Sequence, residues 1–275
     1  MLRYPRLPFL LGLLCAVGCC GTPQIEDLPE AEVVKSFADA RPAIVPPESL
    51  NIVAILAHPD RPAHGSGVVV APDLIVTAKH VIDMLPRNNE GSVLARVGDR
   101  SLAFRVLAES EEVRPTEDWA ILTPDDATRF RGAATIDPRA RRADWRPKDE
   151  TPILLAGFAS GFFDGATEVE SVPALVGSFW GGEDPRAWRI EVGPYDLGGL
   201  SGGGIFLWDP VTGEPSLIAV HHGRRPAVVT TTVALNFLGL EWCLSSKSEP
   251  QVLHQVSPLP AELFELLDAR AAQSP

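Results

Sequence analysis

Residues 198–206 read Gly-Gly-Leu-Ser-Gly-Gly-Gly-Ile-Phe, and this stretch decides how the rest of the sequence is interpreted. Glycines on both sides of Ser201 allow a tight turn, because glycine adopts backbone conformations that a Cβ atom forbids. The apolar residues that follow are typical of a buried strand. The stretch therefore predicts a serine hydroxyl exposed on a turn before a strand. A glycine-rich turn with an incidental serine is the alternative.

A second informative stretch, residues 65–82, reads Gly-Ser-Gly-Val-Val-Val-Ala-Pro-Asp-Leu-Ile-Val-Thr-Ala-Lys-His-Val-Ile. Its two β-rich runs around Pro72-Asp73 predict a hairpin whose second strand runs into His80. A histidine at the end of a strand can have a polar, accessible face, which a general base requires. Taken alone, the hairpin is equally compatible with a histidine that has no role in chemistry.

A third informative residue is Asp118, which lies directly before the apolar run Trp119-Ala120-Ile121-Leu122. A carboxylate held at the start of a buried strand can be desolvated and hydrogen-bonded to an imidazole. By itself this signal is weak, because Asp before an apolar strand is common.

Together, His80, Asp118 and Ser201 resemble the trypsin-like serine proteases in the local motif at each position, in chain order and in spacing. The Ser, Asp, His order of α/β-hydrolases is different. The resemblance covers about residues 50–245. It implies that Ser201 is the nucleophile, His80 the general base and Asp118 the residue that orients it, with the N–H groups of Gly199 and Ser201 as the oxyanion hole.

The fold expected from the strand pattern and from this resemblance is all-β: a double six-stranded β-barrel of the chymotrypsin type with a short C-terminal helix. We place the first barrel at about 50–135 and the second at about 150–245, where residues 217–221 and 227–233 are expected to be separate strands. A connecting loop at 129–148 lies between them, and a tail at 246–275 contains an expected helix at 260–272. His80 and Asp118 would come from the first barrel and Ser201 from the second.

Two departures from the digestive enzymes make the chain more similar to bacterial trypsin-like peptidases of the Deg-like and glutamyl-endopeptidase-like groups. A PDZ domain, which Deg-like proteins usually add, is not expected, because only about thirty residues follow Cys243. Leu200 occupies the position where classical zymogens have an Asp that pairs with a freshly cut N-terminus. Cys243 is the only cysteine beyond residue 20, so no disulfide can form within the barrels.

The resemblance also indicates which residues contact a polypeptide substrate. Residues 217–223 would be the strand that pairs with an extended peptide. A histidine there is typical of enzymes that cut after acidic residues, although histidines at strand ends are more often plain surface groups. The candidate substrate-binding residues are Tyr195, Asp196, His221, His222 and Gly223.

The N-terminus has the features of a signal peptide, with Arg3 and Arg6 before an apolar stretch too short to span a bilayer. Ala16-Val17-Gly18-Cys19 resembles the bacterial lipobox, so residues 1–20 are expected to be a lipoprotein signal with Cys19 lipidated. Ordinary cleavage near 18–21 is the alternative. Residues 21–49, rich in Pro and Glu, are expected to be a flexible spacer. The protein would be exported, periplasmic or on the cell surface, with a lipid chain as a possible membrane anchor.

Composition excludes some partners. Acidic residues outnumber basic ones by 36 to 24, which gives a formal net charge of −12, the wrong sign for nucleic-acid binding. His58, His64 and His80 lack a metal-binding framework, so neither a metal nor another cofactor is expected. A monomer is expected. Three functions remain: a serine endopeptidase, a catalytically silent surface lipoprotein that binds a partner through the same fold, and a non-proteolytic esterase.

Overall fold

The computed structural model describes residues 24–27, 53–58, 64–97, 100–114, 117–148, 151–157, 174–180, 189–191, 199–208, 214–237 and 240–273. The chain divides into two compact units. One comprises Met1–Leu28 and Ala227–Pro250, and the other comprises Pro29–Pro226 and Gln251–Pro275. The second unit contains every candidate site residue that the structure describes.

The strands are β1 (Gln24–Asp27), β2 (Val53–Ala57), β3 (His64–Ala71), β4 (Leu74–Thr77), β5 (Val93–Val97), β6 (Arg100–Glu109), β7 (Ala120–Pro124), β8 (Pro152–Ala156), β9 (Ala174–Trp180), β10 (Arg189–Glu191), β11 (Gly204–Trp208), β12 (Pro215–Phe237) and β13 (Leu240–Pro258). The helices are α1 (Lys79–Asp83) and α2 (Ala261–Gln273).

The first six strands of the larger unit form a closed barrel in the order β2-β3-β4-β7-β6-β5. Neighbouring strands of this barrel pair antiparallel. Its interior is filled by large apolar side chains with no exposed surface, such as Ile75, Phe104 and Ile121. The β4–β7 register sets Thr77 opposite Ala120. Residues just after β4 and just before β7 therefore emerge at the same end of the barrel.

The later strands and β1 form a second sheet in the order β1-β12-β11-β8-β9-β10-β13, in which β12 also pairs with β13. The predicted all-β fold, with one β-rich half after the other and a short C-terminal helix, is confirmed. Side chains of β8 alternate as a strand requires. Ile153 and Leu155 face a core cluster within the second barrel, whereas Leu154 and Ala156 join the cluster that also fills the first.

Two details of the second barrel differ from the sequence expectation. Residues 217–221 and 227–233 were expected to be separate strands, and they form parts of one strand, β12. The second barrel was expected to end near 245, but β13 continues to Pro258 and pairs with β10 at residues 253–255. The polar run around residues 246–250 concealed this strand, because strand prediction relies on apolar alternation.

The smaller unit contains a strand that sequence reasoning missed. β1 lies inside the expected spacer of residues 21–49 and pairs antiparallel with β12 at Ala227–Thr230. Backbone pairing of this kind needs no apolar pattern, so composition alone could not reveal it. Among the described residues, no helix is long and apolar enough to cross a membrane. Residues 1–20, which were predicted to be a signal peptide, lie outside the described residues.

The helix α2 matches the expected helix at 260–272 to within one residue at each end. Leu263 and Phe264 are buried in the cluster that fills the first barrel. Arg270 forms an ion pair with Asp73, which lies between β3 and β4. The tail therefore packs on the barrel that contains His80 and Asp118.

The loop between the barrels, expected to be a solvated connection, is anchored by its backbone. Ala134 donates to the Val69 carbonyl at 2.7 Å, and Asp137 donates to the Leu217 carbonyl at 3.0 Å. The Asp137 side chain accepts hydrogen bonds from the backbone N–H and the guanidinium of Arg139 at 2.8–3.0 Å. Burial would raise the pKa of Asp137, but the hydrogen bonds from Arg139 outweigh it and hold that pKa below its usual value.

Replacing Asp137 by Ala is expected to lower the free energy of unfolding at pH 7 by about 1–2 kcal/mol, because a helical-turn cap and charge-assisted hydrogen bonds are lost. Since the folded pKa is depressed, this contribution is present above the unfolded pKa of about 3.9 and is lost as the pH falls through the folded value. Urea unfolding at pH 7 and pH 3 measures it. Exposed Asp144, paired with Arg142, is the control and should show no measurable change. A deficit in Asp137→Ala that is equal at both pH values would contradict the assignment.

Candidate active site

The pair His80 and Asp118 forms the centre of the site. His80 Nδ1 lies 2.5 Å from Asp118 Oδ2, and the backbone N–H of His80 donates to Asp118 Oδ1 at 2.9 Å. His80 belongs to the first turn of α1 and not to the end of β4, as the sequence suggested. Two hydrogen bonds to one carboxylate fix both the backbone and the ring. If Nδ1 carries the proton, Nε2 has the free lone pair that a general base uses.

Asp118 is fully buried, so its charge needs compensation. Besides the two groups of His80, the side chain accepts a hydrogen bond from His222. Burial alone would raise the pKa of Asp118, but the hydrogen bonds from His222 and His80 outweigh it and hold that pKa well below its usual range. Asp118 is therefore a carboxylate throughout the pH range in which proteins work. The backbone N–H of Asp118 donates a hydrogen bond to the Ser257 hydroxyl oxygen at 3.1 Å.

His222 is the residue whose position differs most from expectation. It was predicted to line the substrate pocket, yet its Nδ1 lies 2.5 Å from Asp118 Oδ2, the oxygen that His80 also contacts. The two imidazole rings are nearly perpendicular, at 80°, with centroids 5.6 Å apart. Asp118 thus holds two histidines, one from each barrel.

The turn around Ser201 is held by both barrels. Ser66 of β3 donates its backbone N–H to the Ser201 carbonyl at 2.6 Å and its hydroxyl to the Gly199 carbonyl at 3.0 Å. Gly202 donates to the His221 carbonyl at 2.8 Å. Leu200, at the zymogen Asp position, is buried in the second-barrel core and so anchors the turn by packing.

The structure brings His80 and Asp118 into direct contact and sets Ser201 beside His222. The Ser201 hydroxyl donates to the His222 carbonyl at 3.3 Å. Within the part of the chain that the structure describes, the acceptor of the Ser201 hydroxyl is the His222 carbonyl, and the hydroxyl makes no hydrogen bond to His80. The β11 register, with Gly204 opposite Val220, explains why residues 201 and 222 meet at one end of the second barrel.

The three glycines after Ser201 have steric causes. A Cβ atom on Gly202 would lie 2.1 Å from the Ser66 carbonyl oxygen, and one on Gly203 would lie 2.3 Å from the Ala156 carbonyl oxygen. A Cβ atom on Gly204 would lie 2.5 Å from the ring of Phe206. The run of glycines is therefore a requirement of close packing, and it does not indicate a loose turn.

Replacing Gly202 by Ala is expected to lower the free energy of unfolding by more than about 3 kcal/mol, since both φ strain and overlap are introduced. Gly202 has a φ of +81°, and the added carbon would also lie 2.3 Å from Thr77 Oγ1, which donates to Ser66. Gly91→Ala is the matched control, because Gly91 has a φ of +85° with no atom within 4 Å. It should cost about 1–2 kcal/mol. Equal shifts in the urea unfolding curves of the two variants would show that packing at Gly202 contributes nothing.

His221, the other predicted pocket histidine, points away from Asp118. It is 2% exposed, and its Nε2 lies 2.9 Å from Nδ1 of His254, a fully buried residue of β13. Burial lowers the pKa of His221 well below its usual value, with the neighbouring His254 adding to the effect. His221 is therefore neutral at pH 7. Sequence reasoning missed His254, because it lies in the strand that was not predicted.

The remaining predicted site residues have mixed outcomes. Tyr195, Asp196 and Cys19 lie outside the described residues. Gly223 follows His222 on β12, and a Cβ atom there would meet nothing within 4 Å. The space that a side chain at position 223 would occupy is therefore empty of other described atoms.

No metal was expected, but one group of side chains could hold an ion. His80, Asp118 and His222 each offer one ligand atom, and these atoms lie within 4.8 Å of one another. From the sequence, the histidines considered as metal ligands were His58, His64 and His80. Residues 80, 118 and 222 are far apart along the chain, so no local sequence signal groups them.

Comparison with solved structures tests the architecture that places these residues. The chain is similar to a Glu endopeptidase solved in complex with MPD, with a TM-score of 0.53 and 15% identity over 85% of this chain and 98% of that chain. The chain has the chymotrypsin-like fold. It is also similar to an inactive mutant of Rv3671c from M. tuberculosis H37Rv, with a TM-score of 0.39 and 18% identity over 70% of this chain and 81% of that chain. No family model and no curated protein matches the sequence.

Proposed function

We propose that the protein is a serine endopeptidase that forms an acyl-enzyme on Ser201. The observation that carries the proposal is the double hydrogen bond between His80 and the buried carboxylate of Asp118. A carboxylate in this arrangement holds the imidazole in one orientation and stabilises its protonated form. The chymotrypsin-like fold and its similarity to a peptidase add support.

In the proposed reaction, Ser201 rotates from the His222 carbonyl toward His80, which takes the hydroxyl proton as the oxygen attacks the peptide carbonyl. The N–H groups of Gly199 and Ser201 are proposed to stabilise the oxyanion. His80 then gives its proton to the leaving amine. Water, activated by the same imidazole, hydrolyses the acyl-enzyme.

The polypeptide substrate is proposed to lie along the start of β12, near Gly223, as an added strand. The similar solved protein is named for action at Glu. His221 is neutral and 2% exposed, so it offers a bound acidic side chain neither charge nor much surface. A peptide-library cleavage profile measures the residue that is preferred at the cut.

A second candidate function is a binding protein with a silent site. The observation that favours it is the hydroxyl of Ser201 donating to the His222 carbonyl and not to His80. The two functions differ in the nucleophilicity of this oxygen.

Labelling with a fluorophosphonate probe tests the proposal. We expect purified mature protein to be labelled once, on the peptide that contains Ser201, and the exposed-site control Ser101→Ala to be labelled at the same rate. A binding protein would stay unlabelled. Attachment at another serine would remove Ser201 from its proposed role.

We also propose that the chain is exported and anchored through a lipid on Cys19. The support is the lipobox-like sequence before this cysteine. The intact mass of the mature N-terminal peptide, compared with that of Cys19→Ala, distinguishes lipidation from ordinary signal cleavage.

A further inference from the structure

Two imidazoles approach one oxygen of the buried Asp118. His80 Nδ1 and His222 Nδ1 each lie 2.5 Å from Oδ2, and the three candidate ligand atoms are within 4.8 Å of one another. The proposed hydrolysis needs only one of these imidazoles on the carboxylate. The second histidine therefore calls for an account of its own.

Two histidines and one carboxylate are a common ligand set for divalent transition metals. With Zn–N bonds of 2.0–2.1 Å and tetrahedral angles, two imidazoles on one ion have ring centroids roughly 5 Å apart. The observed separation of 5.6 Å is close to this value. To admit the ion, each N···O distance would open from 2.5 Å to roughly 3.3 Å, a side-chain adjustment.

Charge and access favour a cation at this point. Asp118 is a buried carboxylate, and among the described residues its side chain is hydrogen-bonded to His80 and His222 and not to a lysine or arginine. The side chains of His80 and His222 are 26% and 17% exposed, so both rings border solvent. The formal net charge of −12 adds a general attraction for cations.

We propose that His80, Asp118 and His222 form a binding site for a divalent transition-metal ion of the Zn²⁺ type, and that the bound ion switches off the chemistry of Ser201. The metal site is independent of the proposed endopeptidase function. The inhibition of Ser201 by the bound ion rests on that function.

Inhibition follows from the positions of the protons. On metal binding, the proton that each imidazole holds on Nδ1 moves to Nε2 through solvent, and the Nδ1 lone pairs bind the ion. No net proton is released, and nothing is oxidised or reduced. His80 Nε2 then carries a proton and has no lone pair, so it cannot accept the proton of Ser201. His222 supplies the second nitrogen that makes the site selective for such metals.

Calorimetric titration of the full mature Ser201→Ala protein with Zn²⁺ tests the site without any need for activity. We expect one ion per chain, and we expect Co²⁺ to give the visible absorption of a four-coordinate site. His222→Gln keeps an amide donor for Asp118 and should weaken Zn²⁺ binding by more than about 100-fold, because loss of a group that only orients a ligand already costs about 10-fold to 100-fold. His58→Gln is the matched control and should leave binding unchanged.

Absence of Zn²⁺ binding to the Ser201→Ala protein, or equal affinity in the His222→Gln protein, would overturn the site. The Co²⁺ spectrum uses the unaltered histidines, so it decides the matter even where His222→Gln fails to fold. In the wild type, Zn²⁺ should slow fluorophosphonate labelling more than 10-fold. If the wild type is unlabelled without Zn²⁺, the endopeptidase function fails while calorimetry still decides the site. Labelling that is indifferent to saturating Zn²⁺ would refute the switch.

Discussion

Replacing Ser201 by Ala is expected to lower kcat/KM on the best peptide substrate by about 10⁶-fold, the loss known when a triad enzyme is deprived of its serine. The reason is chemical: without the hydroxyl no acyl-enzyme can form. The neighbouring amides would still stabilise an oxyanion, so weak hydrolysis above the uncatalysed rate should persist. Steady-state kinetics on peptides chosen from a cleavage library, with the fluorophosphonate probe as a second readout, measure the effect.

The same substitution should leave folding unchanged, which makes it a clean test. The hydroxyl donates one long hydrogen bond, at 3.3 Å, to the His222 carbonyl. The backbone of Ser201, held by Ser66, is not altered. Urea midpoints of the two proteins should coincide. Activity within 100-fold of wild type in the folded variant would mean that another group is the nucleophile. An ester substrate cleaved while peptides are untouched would favour the esterase.

Replacing Asp118 by Asn is expected to lower kcat by about 10⁴-fold, the value known for this change in a Ser-His-Asp triad. An amide has one oxygen and one NH₂ group, whereas both carboxylate oxygens now accept hydrogen bonds from N–H groups. The NH₂ group would donate to the Nδ1 atom of at least one histidine. Where that atom belongs to His80, the proton moves to Nε2 and the base is lost.

The measurement is kcat at pH 7 with the substrate used for Ser201→Ala, and Asp268→Asn serves as a surface control with unchanged kcat. Asp268 is an exposed aspartate whose pairing with Arg141 has no connection with the site. Because the histidines are positioned through Asp118, a loss smaller than 10-fold in Asp118→Asn would contradict the role proposed for this carboxylate.

The architecture could be predicted because its signals are local. The hairpin at 65–82 has two apolar runs on either side of Pro72-Asp73, which is the local signal of a hairpin, and the glycines around Ser201 indicate a tight turn. Strand β13 could not be predicted in the same way. It is held by pairing with β10 and β12, and its sequence near residues 246–250 is too polar to indicate a strand.

One contact of the candidate site could be predicted from the sequence, and the contacts of His222 and Ser201 could not. His80 and Asp118 were correctly expected to meet. The two consecutive histidines of β12 were both expected in the substrate pocket, although successive side chains of a strand point in opposite directions. Which of them faces Asp118 depends on the register between β11 and β12, a long-range property that the local sequence does not contain.

The hydrogen bonds from Ser66 to residues 199 and 201 also make the position of the proposed nucleophile depend on both halves of the chain. They are made by β3, whose strand partners β2 and β4 precede it or follow it directly, whereas the turn that they hold is made from the later half of the polypeptide. The turn that carries Ser201 therefore has its hydrogen-bond partners only when both halves of the chain are folded. In the proposed endopeptidase, an early half folded alone would lack a positioned hydroxyl and could not react.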